Sequence, residues 1–315
     1  MYLLENKTIF IIIAIACIYI GFAFYSDVSK TSEHFFNVDP TFLLIILPIE
    51  ICAFFTRSIR QKILLDNIGV RISLLSNFKL FVAGLSMTIT PGGSGNIIKS
   101  HFLKKFYDYP HSQTLPLVFV ERFHDFLAVT TIISITLLFS YLWQSFVLVI
   151  LSLLFLIIIF SIFKKPILLE KFLSKVKKIK FLSKYIPSLK FSESLVILTS
   201  WKITLKAWPI SIVSWSLEIF SFYYIFKAFD INLNFIESAQ IVYTSILVGA
   251  LSFLPAGLGF TEGTLIALLL ERGYELSVIT AAVFMIRIVT VWFATGIGFI
   301  FAQKFLKINF PQEKY

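Results

Sequence analysis

Apolar residues run nearly unbroken over positions 8–25, 40–55, 116–142, 145–163, 207–226 and 278–302. Each run approaches the roughly 20 residues that an α-helix needs to cross a bilayer. Two shorter runs, 73–90 and 238–253, both end in a Pro/Gly cluster: TITPGGSG at 88–95 and SFLPAGLG at 252–259. Polar residues are confined to the links between runs and to a few isolated positions inside them. The pattern predicts an all-α polytopic membrane protein with two interrupted helices.

Composition agrees. The chain is 57% hydrophobic and 15% charged, with 36 phenylalanines and a mean hydropathy of +0.86. That excludes an ordinary soluble domain. The N-terminus, MYLLENKTIF, lacks a basic region and a small-residue cleavage site, so the first run is expected to be a retained helix. The expectation is a single integral membrane domain over 1–315, with no large soluble domain at either end.

The links carry a charge pattern. Segment 56–72 has Arg57, Arg60, Lys62 and Arg71 against Asp66, and 164–206 has eleven lysines against Glu170 and Glu193, net +9 of the chain's +10. Cytoplasmic loops collect Lys and Arg. Both basic segments are therefore expected inside, and 26–40, with Asp27, Glu33 and Asp39 against Lys30, outside. Three single crossings through 73–90, 116–142 and 145–163 would put the two basic segments on opposite faces. They agree if 73–90 dips in and the chain returns through 91–105, with TITPGGSG at the tip of a re-entrant, broken-helix element. By the same rule 227–237 and 271–275 lie outside, SFLPAGLGFTEG enters from that face, and both termini are cytoplasmic at the cell membrane.

Three matches recur in order. Glu50-Ile51 with Phe54-Phe55 matches Glu218-Ile219 with Phe222-Tyr223. Pro91 to Gly95 matches Pro255 to Gly259, and Val118-Phe119 with Arg122 matches Val283-Phe284 with Arg287. The offsets, 168, 164 and 165, are nearly constant. Two repeats follow, about 8–142 and 145–302, with the lysine-rich cytoplasmic link 164–206 inside the second. Each has three transmembrane helices and one re-entrant broken-helix element, and three crossings per half invert the second repeat. Inverted repeats with broken helices are a transporter pattern, with the substrate at the breaks.

Irregular backbone cannot face lipid; it must be buried in protein or line a wet cavity. Gly93 and Gly95, like Gly257 and Gly259, let the chain turn tightly and let another group approach. They read equally as sites of close helix packing. Asn96 is placed to cap a helix restarting after Gly95. Freed amides there, with Lys99 one turn on, favour an anion such as a lipid phosphate. The segment is not a nucleotide P-loop, because Ile98 precedes Lys99 where that motif needs glycine. Arg287 lies deep in an apolar run and needs a partner, for which Glu50, Glu218 and Glu262 are candidates. Glu121, Arg122 and Asp125 share a helix face and read either as a structural ion-pair group or as part of a site. Arg122 and Arg287 suggest a symmetric pair.

The chemistry of catalysis is missing. Ser94 is the one tempting hydroxyl, and no base accompanies it. His34, His101, His111 and His124 show no metal-ligand spacing, and His124 reads as an interfacial residue. Cys17 and Cys52 sit in apolar runs and read as small core residues. No catalytic residue, metal or cofactor is assigned. The stretch KKPILLEKFLSKVKKIK interleaves Lys with Leu, Ile and Phe, which suits an anionic lipid surface and argues against nucleic acid.

TPGGSG, VERFHDFLAV, FLPAGLGFTEG and a late helix carrying Arg287 together resemble the transmembrane, flippase-like region of lysylphosphatidylglycerol synthases, over about residues 5–305. The family's Pro-Gly-Gly-x-Gly falls on Pro91 to Gly95, its Glu-Arg-x-x-Asp on Glu121, Arg122 and Asp125, and its Pro-x-Gly-x-Gly-x-x-Glu on Pro255, Gly257, Gly259 and Glu262. Lys99 stands where the family usually carries a basic residue, often Arg. The resemblance implies movement of an anionic or modified (aminoacylated or glycosylated) lipid headgroup between leaflets. The family's soluble lysyl-transfer domain has no counterpart in the 315 residues. On this reading Lys99, Arg122 and Arg287 meet phosphate, and Glu50, Glu121, Asp125, Glu218 and Glu262 hold those cations or meet an amine. The partners expected are a membrane lipid as substrate and a separate lipid-modifying enzyme. No ATP site is visible; equilibration down a lipid gradient or proton coupling through the carboxylates both fit. The rivals are a non-transporting partner of a lipid- or glycan-modifying enzyme, a small-solute transporter, and an intramembrane transferase.

Overall fold

The computed structural model describes residues 27–88, 97–139, 142–164, 168–169, 171, 189–252, 254 and 256–307. Among them the secondary structure is helical: α1 Val28–Asn37, a 3-10 turn Pro40–Phe42, α2 Leu43–Asn67, α3 Leu74–Leu85, α4 Ile97–Tyr107, a single turn His111–Thr114, α5 Pro116–Thr136, α6 Trp143–Lys164, α7 Leu189–Leu198, α8 Trp201–Ala228, α9 Phe235–Leu251, α10 Phe260–Leu270, α11 Leu276–Arg287, a π segment Ile288–Trp292 and α12 Phe293–Lys307. Four stretches are long and apolar enough to cross a membrane: Pro40–Asn67, Trp143–Lys164, Trp201–Ala228 and Leu276–Phe305. The protein is a multi-pass membrane protein.

The helices are sorted inside out relative to a soluble fold. On α6 the buried positions are Ser145, Val149, Ser152, Leu156 and Phe163, a stripe at helical spacing. Phe146, Ile150, Leu153, Leu154 and Ile157 are exposed, as suits a lipid-facing wall. Ser145 Oγ hydrogen-bonds Thr244 Oγ1 on α9 at 2.7 Å, a small polar contact of the kind that joins helices in lipid. α2 carries the same logic further: Glu50, Ser58, Arg60 and Gln61 are buried, while Leu44, Ile51 and Phe55 are exposed.

That arrangement corrects the sequence reading of 56–72. The apolar run ends at Phe55, yet α2 continues to Asn67. It stops in a Schellman motif: Gly69, at φ +77, donates its N–H to Asp66 O, and Val70 donates to Leu65 O. Arg57, Arg60 and Lys62 are helix residues. Arg60 is buried within the bundle, so its charge reports internal pairing and not a cytoplasmic loop. Segment 26–40 likewise holds a helix, α1, whose first N–H groups are capped by Asp27.

α2 packs along α8, α3 along α12, α9 against α10 and α1 against α11. A close backbone approach is at Gly298 on α12, where an added Cβ would lie 2.2 Å from Ser86 N and 2.6 Å from Leu85 C at the end of α3. Cys52 is exposed; it faces outward from α2 and is not a core residue as expected. Cys17 lies outside the described residues.

Candidate functional site

Two buried polar groups occupy the centre. In the first, α2, α5 and α8 meet. Arg60 Nη1 donates to Asp125 Oδ1 at 2.5 Å and to Ser211 Oγ at 2.8 Å. Trp215 Nε1 donates to the same Asp125 oxygen at 3.3 Å. One turn earlier on α2, Arg57 pairs with Glu218 on α8 and stacks over the Trp215 ring, 4.7 Å to its centre. Glu50, two turns before Arg57, is buried beside the same face of α8.

In the second, α4 meets α2, α3 and α5. Lys99 Nζ lies 2.5 Å from Glu121 Oε2 and 2.9 Å from Gln61 Oε1. Gln61 Nε2 donates to Asn77 Oδ1 at 2.9 Å, and Asn77 Nδ2 donates to Ser58 O at 2.7 Å. Lys99 and Glu121 side chains are each 1% exposed. A buried pair of this kind is expensive to open, because removing one partner leaves an uncompensated charge.

α10 and α11 carry a comparable pair. Arg287 Nε lies 2.8 Å from Glu262 Oε1, and Glu262 Oε2 accepts the N–H of Gly259 at 2.8 Å. Gly257 and Gly259, at φ +67 and +80, shape the turn before α10 in the left-handed region that favours glycine. An apolar cavity of about 300 Å³ beside Arg287 is lined by Phe35, Phe36, Phe284, Ile288 and Trp292 among others. The π segment begins directly after Arg287.

The two pairs occupy like positions. Lys99 is the third residue of α4, and Glu262 is the third of α10. Each pairs with a residue of opposite charge on the next long helix. A glycine at the end of the preceding helix packs against the first turn in both cases: a Cβ on Gly84 would lie 2.7 Å from Lys99 Cγ, and one on Gly249 1.9 Å from Thr261 Oγ1. Ser86 Oγ donates to Ala83 O at 2.7 Å, and Ser252 Oγ donates to Gly249 O at 2.6 Å. The sequence signal was available: VAGLS at 82–86 and VGALS at 248–252 precede the two glycine segments.

Of the expected site residues, Lys99 joins Glu121, and Arg287 joins Glu262 out of its three candidates. Glu50 and Glu218 come together across α2 and α8. Glu121 and Asp125 serve two different cations. Arg122 contacts Asp125 at 3.2 Å from the rim, at the i,i+3 spacing, with its side chain 51% exposed. Arg60 fills the buried side of Asp125. Arg57, Arg60, Gln61, Asn77, Ser211 and Trp215 were not anticipated. His124 is fully buried, with Nδ1 2.9 Å from Val120 O. Pro91, Gly93, Ser94, Gly95, Asn96 and Pro255 lie outside the described residues. Among the described residues no three or more of His, Cys, Asp and Glu cluster as a metal site.

Residues 9–298 match the family described as the lysylphosphatidylglycerol synthase TM region. The UPF0104 membrane protein PH1989 of Pyrococcus horikoshii is 23% identical over 330 aligned positions, covering 96% of this chain and 98% of that protein. The chain belongs to the lysylphosphatidylglycerol synthase TM-region family.

Proposed function

We propose that the protein binds an anionic or modified lipid headgroup between its two glycine-rich segments and moves it between leaflets. The observation that carries this reading is the pair of buried ion pairs, Lys99–Glu121 and Arg287–Glu262, each set in the first turn after a glycine segment. A headgroup bearing a phosphate and an ammonium can exchange with such a pair. The phosphate takes the cation, the ammonium takes the carboxylate, and no charge is left bare in a medium of low dielectric. Two polar atoms remain open for that exchange among the described residues: Glu121 Oε1, an acceptor, and Arg287 Nη2, a donor. This favours an aminoacylated headgroup over a simple anion. The cavity beside Arg287 suits an alkyl chain. Asp125, Glu218, Arg57 and Arg60 hold the neighbouring helices, and half-exposed Arg122 meets phosphate at the rim.

The same geometry supports two inverted repeats with a re-entrant element in each. Gly84 and Gly249, which fall one position apart when Ser86 is set against Ser252, those serines and the two ion pairs follow one chain order. The lysine-rich segment 164–206 supports cytoplasmic termini.

Reconstitution into liposomes with lipids labelled on the headgroup tests the function. Accelerated exchange between leaflets is expected for an aminoacylated or other modified anionic lipid, and a sharp loss in Lys99→Met. A folded protein that accelerates no lipid overturns the reading. Native mass spectrometry of co-purified lipid identifies the headgroup.

A further inference from the structure

Glu50 differs from the other buried carboxylates. Asp125 has Arg60, Glu218 has Arg57, Glu121 has Lys99 and Glu262 has Arg287. Glu50 is 0% exposed, no cation is bonded to it among the described residues, and the one hydroxyl that bears on its carboxyl is that of Ser221. Ser221, one turn from Glu218 on α8, sits beside it. Its Oγ is also fully buried, with the Glu50 carboxyl as its neighbour and no other partner among the described residues. The charged groups acting on Glu50 are Glu218 from α8 and Arg57 from its own helix, and the Tyr243 phenol faces the same cluster from α9. Neither Arg57, whose Nε is itself buried without a partner among the described residues, nor Tyr243 hydrogen-bonds it. Arg57 is committed to Glu218 and to the Trp215 ring, and Tyr243 donates its hydroxyl proton to Trp215 O.

A bare carboxylate at this depth, next to a second carboxylate, is unfavourable. The two oxygens of Glu50 and the Ser221 oxygen beside them are hard donors of the kind that hold a proton or a small alkali cation. We infer that Glu50 and Ser221, with Glu218 alongside, form a binding site for one small monovalent cation, H⁺ or Na⁺, and that its loading is linked to lipid movement. The site lies on α2 and α8, the helices that also hold Arg57 and Arg60. A change in charge at Glu50 therefore acts on the Arg57–Glu218 pair and on the α2–α8 contact. The link to transport rests on the function proposed above; the cation site itself does not.

Dicyclohexylcarbodiimide tests it, because this apolar reagent adds to protonated carboxyls within membranes. The full-length protein is labelled in liposomes from mildly acidic to mildly alkaline pH, in sodium chloride against choline chloride, and adducts are mapped by peptide mass spectrometry. Glu50 is expected to carry the adduct, while the salt-bridged Glu121, Glu218 and Glu262 do not. A proton site gives labelling that falls with rising pH and ignores sodium. A sodium site gives labelling that sodium suppresses severalfold. No adduct on Glu50, or one indifferent to both pH and sodium, overturns the inference. The native sequence alone decides this, so the result stands even if Glu50→Gln fails to fold. Where Glu50→Gln does fold, lipid exchange loses its response to an imposed proton or sodium gradient. Labelling as expected without any lipid exchange would leave the cation site in place and remove the transport reading. Exchange without labelling would do the reverse.

Discussion

The Lys99–Glu121 pair offers a quantitative test of how the two halves of the site are held. Both side chains are 1% exposed. The Lys99 stem fills the space left by Gly84, and its ammonium lies 5.3 Å from the centre of the Phe81 ring. Lys99→Met keeps the stem and removes the charge, leaving Glu121 buried without its cation. Glu121→Gln keeps the shape and leaves Lys99 charged beside an amide. Each single change should cost about 3–5 kcal/mol, the usual penalty for removing one partner of a buried pair. The double change removes both charges and leaves the introduced amide able to bond Gln61, so it should lie within about 2 kcal/mol of the native protein. At about 2.1 cal/mol/K per residue over 315 residues, the single losses correspond to midpoints lowered by about 5–8 °C. The double variant should recover to within about 3 °C. Thermal unfolding of detergent-purified protein, followed by tryptophan fluorescence, reads all four proteins. If the double variant falls by the sum of the two singles, the pair is not energetically coupled and the argument from exchangeable ion pairs fails with it.

Three further outcomes follow from separate observations. Gly298→Ala should lower stability by about 1–3 kcal/mol or more through overpacking, because its Cβ would meet the backbone of Leu85 and Ser86. Gly296→Ala, two residues away with nothing within 4 Å of an added Cβ, should be neutral or stabilising by up to about 1 kcal/mol; equal losses in the two variants would refute the close crossing of α3 and α12. The Asp39 carboxylate accepts the Thr41 N–H at 2.9 Å and the Thr41 hydroxyl at 2.8 Å, and these bonds hold its carboxyl below the usual carboxylate range. Because the folded value is depressed, its support for the 3-10 turn is present above the unfolded value and lost as pH falls through the folded one. Thr41→Val should move the Asp39 titration back up part of the way, read by carboxyl carbon NMR; an unmoved titration would contradict the bond. In a cysteine-free background, Lys190→Cys and Glu275→Cys, both exposed, should react with impermeant maleimide from opposite faces, and reaction from one face would break the proposed orientation.

The helices were largely legible in the sequence because lipid imposes one demand, a long apolar run, and α6 meets it almost without exception. The partners of the buried charges were not. The run ending at Phe55 concealed the rest of α2, since hydropathy treats Arg57 and Arg60 as the start of a loop. Both are inward-facing helix residues, neutralised by Glu218 and Asp125, and only contact between distant segments reveals that. Arg122 illustrates the opposite case. It lies between two buried acids in the sequence, yet on a helix the neighbour of an inward residue points elsewhere, and Arg122 sits on the rim. Spacing did correctly place Glu121 and Asp125 on one face. It could not say that one reaches Lys99 and the other Arg60.

The weak identity between the halves has a physical explanation on the proposed repeat. What each half must conserve at this position is neutrality, not a particular sign. Lys99 with Glu121 satisfies that requirement, and so does Glu262 with Arg287 in the reverse order along the chain. A sequence comparison scores the exchange of Lys for Glu as a mismatch, while the buried pair tolerates it. The glycines have no such freedom. Gly84 must leave room for the Lys99 stem and Gly249 for Thr261, and any side chain there meets an atom already in place. Around these pairs the small residues recur, VAGLS at 82–86 against VGALS at 248–252, while the paired charges have changed sign. A substrate bearing both charges fits this arrangement, since it can present its phosphate to one half's cation and its ammonium to the other half's acid.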